Sequence, residues 1–122
     1  MTAVLQAKRF ESPDEVRPFN DNKGKVELVE LSENMVGHGT FEPGWRWSEH
    51  VKPLSGTDSC QVEHIGYVFK GRMKVVMDSG EELEVGPGDV FHMPPGHDAW
   101  TVGEEPCVVL DFGGLRGYAR AS

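Results

Sequence analysis

No window of about a dozen residues in this chain keeps its apolar positions at a helical period. Short apolar runs recur instead, each closed by a glycine, a proline or a small polar turn residue. The runs are 25–31 (KVELVEL), 35–41 (MVGHGTF), 64–69 (HIGYVF), 72–78 (RMKVVMD), 81–85 (EELEV), 89–93 (DVFHM), 99–102 (AWTV) and 107–112 (CVVLDF). About eight short strands with turns between them predict an all-β chain, an antiparallel sandwich or barrel. Ser79-Gly80 reads as a tight hairpin between two of them. The one helix signal is 12–19, where Ser12 is placed to cap, Pro13 suits the first helical position and Pro18 stops it. That is one turn at most.

With 122 residues, one domain is expected: a barrel core over about 25–112, an N-terminal arm over 1–24 and a tail over 113–122. A strand in that arm is available to pair with a second subunit, and a homodimer is the expected assembly. The net charge is −8, and the 12 lysines and arginines are dispersed, which argues against nucleic acid as a partner. No apolar run approaches the ~20 residues that span a bilayer, so no membrane partner is expected. Residues 1–10 (MTAVLQAKRF) hold no apolar stretch of the signal-peptide kind. Cys60 and Cys107 form no C-x-x-C pair and are too few for a disulfide framework. Reduced thiols and a cytoplasmic location are expected.

Two glycine-anchored spacings carry chemistry. Gly44 precedes His50 by five intervening residues, and His64 precedes Gly71 by six. Further on, Gly88 precedes Pro94 by five, and Gly96 follows Pro94 after one. This pair of motifs resembles the cupin superfamily, whose patterns are G-x5-H-x-H-x3,4-E-x6-G and G-x5-P-x-G-x2-H-x3-N. The resemblance covers roughly residues 40–112, and the whole chain is similar to small single-domain bacterial cupins with a "PGWRWSEH" opening and a "PPGHDAW" closing. It implies a jelly-roll β-barrel whose inward-facing side chains converge on one metal. Residue by residue, His50 takes the first histidine position and Lys52 the second. His64 takes the acidic position and Ala99 the last histidine position. The segment 53–63 (PLSGTDSCQVE) replaces three or four residues of the pattern. The usual ligand set is therefore not carried over whole.

His97 lies two residues before Ala99, on the same strand face, and supplies a third histidine if the bend allows. The expected site is then His50, His64 and His97 around one divalent transition metal, zinc, iron, nickel or copper, with positions left open for a small organic ligand or substrate. Asp98 or Glu49 is placed to orient an imidazole. Such a cupin would be a metal-dependent enzyme, for instance a dioxygenase or isomerase. The alternative is a metal-free module that binds or senses a small molecule. In it the histidines line a polar pocket, and Arg46, Trp47, Cys60, Tyr67, Asp98 and Trp100 carry recognition. Cys60 shares strand parity with His64 and is either a soft ligand, a reactive thiol or a buried filler. Trp45, Trp47 and Trp100 line a mouth or fill the core. The 53–63 segment is either a lid or a passive loop.

Overall fold

The computed structural model describes residues 5–112. Nine strands and two single-turn helices follow in order: β1 (Glu15–Pro18), β2 (Gly24–Leu31), β3 (Asn34–Phe41), α1 (Trp47–His50), α2 (Lys52–Ser55), β4 (His64–Lys70), β5 (Arg72–Met77), β6 (Glu82–Val85), β7 (Val90–Met93), β8 (His97–Val102) and β9 (Cys107–Asp111). They build a six-stranded sheet in the order β1-β2-β3-β9-β4-β7 and a three-stranded sheet in the order β6-β5-β8. All pairings are antiparallel. The architecture is the expected antiparallel jelly-roll β-barrel.

Strand alternation makes the core. On β8, His97, Ala99 and Thr101 are buried, while Asp98, Trp100 and Val102 are half-buried. On β9, Cys107, Val109 and Asp111 are buried between half-buried neighbours. The inward residues form one cluster that includes Val26, Leu28, Phe41, Val68, Val75, Phe91 and Val109, closed at one end by Trp45 and Trp47. Phe41 and Trp45 meet edge to face with ring centres 4.6 Å apart.

The segment 12–19 is not helical. Residues Glu15–Pro18 form β1 and pair with β2 of the same chain, with Val16 opposite Glu27. Pro18 is tolerated there because β1 is an edge strand and owes no hydrogen bond on its open side. The sheet thus begins inside the expected N-terminal arm, and the tail over 113–122 lies outside the described residues. The hairpin at Ser79-Gly80 is wider than expected, with β5 ending at Met77 and β6 starting at Glu82. The 53–63 segment begins in α2, whose left-handed end residue is Gly56 at φ +78°. It then runs to an isolated bridge between Cys60 and His97. Among the described residues no helix is long and apolar enough to cross a membrane.

Candidate metal centre

Three buried side chains from three separate segments converge: Cys60 at the end of the long loop, His64 at the start of β4 and His97 at the start of β8. One ligand-type atom from each lies within 4.8 Å of the other two. Backbone bonds hold the loop against the strand. Cys60 N–H donates to the His97 carbonyl at 2.7 Å, and Gly96 N–H donates to the Cys60 carbonyl at 2.7 Å. Asp78 anchors the same corner, accepting from Ser59 Oγ at 2.8 Å through its side chain while its N–H donates to the Gly96 carbonyl at 2.8 Å. The turn into His97 needs Gly96, whose φ is +94°.

Each imidazole is held through Nδ1. His64 Nδ1 bonds Asp111 Oδ2 at 2.6 Å, and His97 Nδ1 donates to the Pro94 carbonyl at 2.7 Å. With Nδ1 engaged, Nε2 is the nitrogen by which each neutral ring would meet a metal, an arrangement common behind metal-bound histidines. The Cys60 Sγ to His64 Nε2 distance is 3.7 Å. Around a tetrahedral zinc, with sulfur at ~2.3 Å and nitrogen at ~2.0–2.1 Å, that edge would be about 3.6 Å. The donor set and its Cys60–His64 edge therefore fit a metal such as zinc or copper, for which one thiolate and two imidazoles are suitable ligands.

The electrostatics are those of a thiolate beside an imidazolium. Burial pushes the Cys60 thiol up, but hydrogen bonds and charge from His64 and His97 outweigh it and bring the value down to about 6. Burial likewise disfavours the charged His64 ring, yet Asp111 and then Cys60 raise it to about 9. Cys107 has no such partner. Burial, with Glu105 nearby, pushes its thiol up to about 12, and it behaves as core.

His64, His97 and Asp111 are the polar end of a cavity of about 40 Å³. The rest of its wall is apolar and includes Phe41, Met73, Phe91, Met93, Val109 and the rings of Trp45 and Trp47.

Of the three histidines expected as ligands, the structure brings His64 and His97 together, while His50 lies outside both the convergent group and the cavity wall. His50 ends α1 instead of lying on a strand, and its Nδ1 accepts from the Arg46 N–H at 2.9 Å. Its Nε2 stands 3.9 Å from Asp21 Oδ2. Cys60 takes the place assigned to His50 in the trio. Of the residues expected to contact a ligand, Trp47 lines the cavity. Tyr67 sits three residues after His64 on β4, so strand parity turns it to the outer face, 5.2 Å from the Phe69 ring. Arg46, Asp98 and Trp100 form a separate group outside the cavity wall. The guanidinium lies 4.3 Å over the Trp100 ring, and Arg46 Nε is 3.8 Å from Asp98 Oδ2. Asp98 orients no imidazole; its Oδ1 accepts from the N–H groups of Ser48 and Ala99. Glu49 is exposed and also stands outside the group. Asp111 was missed. Its only sequence signal is an acid inside the apolar run CVVLDF.

A nine-stranded antiparallel barrel with two buried histidines in its cavity wall defines a class, and the comparisons agree with it. The family model described as "Cupin domain" matches residues 38–113, more than half of the chain. The chain belongs to the cupin family. Among solved structures it is similar to an RmlC-like cupin from Shewanella frigidimarina, with 20% identity over 95% of this chain and 96% of that one at a TM-score of 0.61. It is similar to KdgF from Halomonas sp. at 22% identity, covering 84% of this chain and 87% of that one, with a TM-score of 0.57. It also matches oxalate decarboxylase from Lactobacillus farciminis in its formate complex at 21% identity and a TM-score of 0.58, covering 84% of this chain but 32% of that one. At these identities the likeness is one of fold. No curated protein matches the chain.

Proposed function

We propose that this cupin holds one divalent transition metal on Cys60, His64 and His97 and receives a small molecule in the adjoining cavity. The observation that carries the reading is the convergence of Cys60, His64 and His97, each with a ligand-type atom within 4.8 Å of the others, with both imidazoles tied through Nδ1 and His64 Nε2 facing Cys60 Sγ. Three protein ligands leave a fourth tetrahedral position open, as catalytic zinc sites do. When bound, the metal would polarise a ligand oxygen or activate water. The chain's own residues do the rest. Asp111 fixes the His64 ring, the Pro94 carbonyl fixes His97, and the mostly apolar wall receives the apolar part of a ligand. The thiolate favours zinc or copper over the iron and nickel also considered from sequence.

Elemental analysis of the purified full chain after zinc reconstitution tests this. One equivalent is expected in the wild type and in His50→Ala. The content should fall to a small fraction of that in Cys60→Ala and His64→Ala, both still folded by circular dichroism. Full metal content in Cys60→Ala, or loss in His50→Ala, would reject the assignment.

A second reading has its own observation. Cys60, His64 and Asp111 also line up as thiol, base and orienting carboxylate, which needs no metal. Absence of metal from the reconstituted wild type would favour it, and the protein would then be a metal-free small-molecule module with an ionised Cys60.

A further inference from the structure

The outer face of the six-stranded sheet is apolar where β9, β4 and β7 lie side by side. Val90 is 76% exposed, Phe112 55%, Phe69 50% and Ile65 49%. The register makes them neighbours. Tyr67 stands opposite Leu110 on β9 and opposite Val90 on β7. The Phe69 ring packs edge to face on Tyr67 at 5.2 Å, and the Phe112 N–H donates to the Ile65 carbonyl at 2.8 Å. Directly opposed residues share a face, so these side chains form one patch on the side of the sheet that His64 turns away from. On β3, the next strand along, the chain covers its own sheet. The Phe10 ring lies 5.2 Å from the ring of His38, which stands opposite Leu110. Over β4 and β7 the exposed side chains have no such cover among the described residues.

A patch of this kind is the usual mark of a docking surface, since the largest bare apolar patch on a monomer is ~300–600 Å² and often functional. An aromatic residue carries roughly 150–250 Å², so Phe69 and Phe112 at half exposure supply about 200 Å² before Ile65 and Val90 are added. From this geometry we infer that the outer face of β9, β4 and β7 docks a second copy of this chain, sheet against sheet, to form a homodimer. The charges along β4 point to a second copy as the occupant. Glu63, just before the strand, bonds His92 on the outer face at 2.7 Å. Lys70, at the other end, is exposed and lies past a bulge opposite Val108. The face of β4 therefore reads acid, Ile65, Tyr67, Phe69, base. A twofold contact needs a patch that complements itself. A twofold axis lying between two such faces and crossing β4 at Tyr67 sets the two β4 strands antiparallel. Tyr67 then meets Tyr67 of the partner subunit, Ile65 meets Phe69 of the partner subunit, and Glu63 meets Lys70 of the partner subunit, each contact made twice. With their polar rims, two faces of this size reach the ~1,200 Å² at which specific interfaces begin.

Sedimentation equilibrium of the purified full chain, from the micromolar to the millimolar range, tests this. A monomer–dimer equilibrium is expected for the wild type. Phe69→Glu should weaken it about thirtyfold or more, the loss of a central apolar anchor, with circular dichroism and zinc content unchanged. Val16→Glu, on the open edge at β1, should leave it as it is. Glu63→Lys and Lys70→Glu should each weaken it about tenfold, because each sets like charges against each other at two contacts. The double variant should recover to within about threefold of the wild type. An equimolar mixture of the two single variants should form the mixed dimer in preference to either homodimer. A wild type that stays monomeric throughout would overturn the proposal. So would a dimer that survives Phe69→Glu and is lost in Val16→Glu, which would put the contact at the sheet edge. Charge reversals that weaken the dimer singly and do not recover together would overturn the antiparallel arrangement. Should Phe69→Glu misfold, Ile65→Gln on the same exposed face carries the same expected loss.

Discussion

Cys60 and His64 exchange a proton when the chain folds. In the folded state the thiol value lies at about 6 and the imidazole value at about 9. Unperturbed, the order is reversed, near 8.5 and 6.5. Taken alone, the lowered thiol value contributes stability that is present above its unfolded value and lost as pH falls towards 6. The raised imidazole value contributes stability present below 6.5 and lost as pH rises through 9. The slopes oppose each other. Between about pH 6.5 and 8.5 the pair holds one proton in either state, on sulfur when unfolded and on nitrogen when folded, so it adds little pH dependence to stability. Metal binding is different, because it needs the thiolate and a neutral His64 together. The pair's one remaining proton must leave. Zinc affinity should rise about tenfold per pH unit between about pH 6 and 9 and level off above. Competition with a chromophoric chelator across that range measures it, and a flat profile would show that His64 is not a ligand.

The elements place these atoms through one turn. Gly96 sits at φ +94°, and a Cβ there would stand 3.1 Å from Asp78 Oδ2, the atom that also receives the Ser59 hydroxyl. Gly96→Ala should cost about 1–2 kcal/mol through the left-handed backbone alone. It should also lower zinc affinity, because the same turn aims His97. Chemical denaturation and a zinc titration report the two effects, and lost stability with unchanged affinity would place Gly96 outside the site. Much of this level was legible in the sequence. The strands from β2 to β9 follow from alternation and turn residues, and P-x-G announced the bend before His97. The short helices did not show, because a single turn at Trp47–His50 has too few residues to display a period. The ligand role expected for His50 came from its position in the family motif, which does not show that the residue ends a helical turn. Residues 15–18 were misread for the opposite reason. Pro13 and Pro18 are local signals, and long-range pairing with β2 overrode them.

At the scale of the whole molecule, the candidate centre ties together what the topology keeps apart. His64 belongs to the six-stranded sheet, His97 to the three-stranded sheet, and Cys60 to the long loop between α2 and β4. Such convergence depends on closing loops of dozens of residues, so no spacing rule along the chain reveals it. Parity marked Cys60 as sharing a face with His64, but only the bridge to His97 shows that the loop carries it into the site. The family's first histidine position, by contrast, is displaced onto a helix here. The sequence reading names three histidines, whereas the proposed centre has one thiol and two histidines. X-ray absorption at the zinc edge of the reconstituted full chain tests that difference most directly. One sulfur at ~2.3 Å with nitrogen neighbours at ~2.0–2.1 Å, the sulfur vanishing in Cys60→Ser, is the predicted result. A shell of nitrogen and oxygen alone, altered by His50→Ala and indifferent to Cys60→Ser, would contradict it.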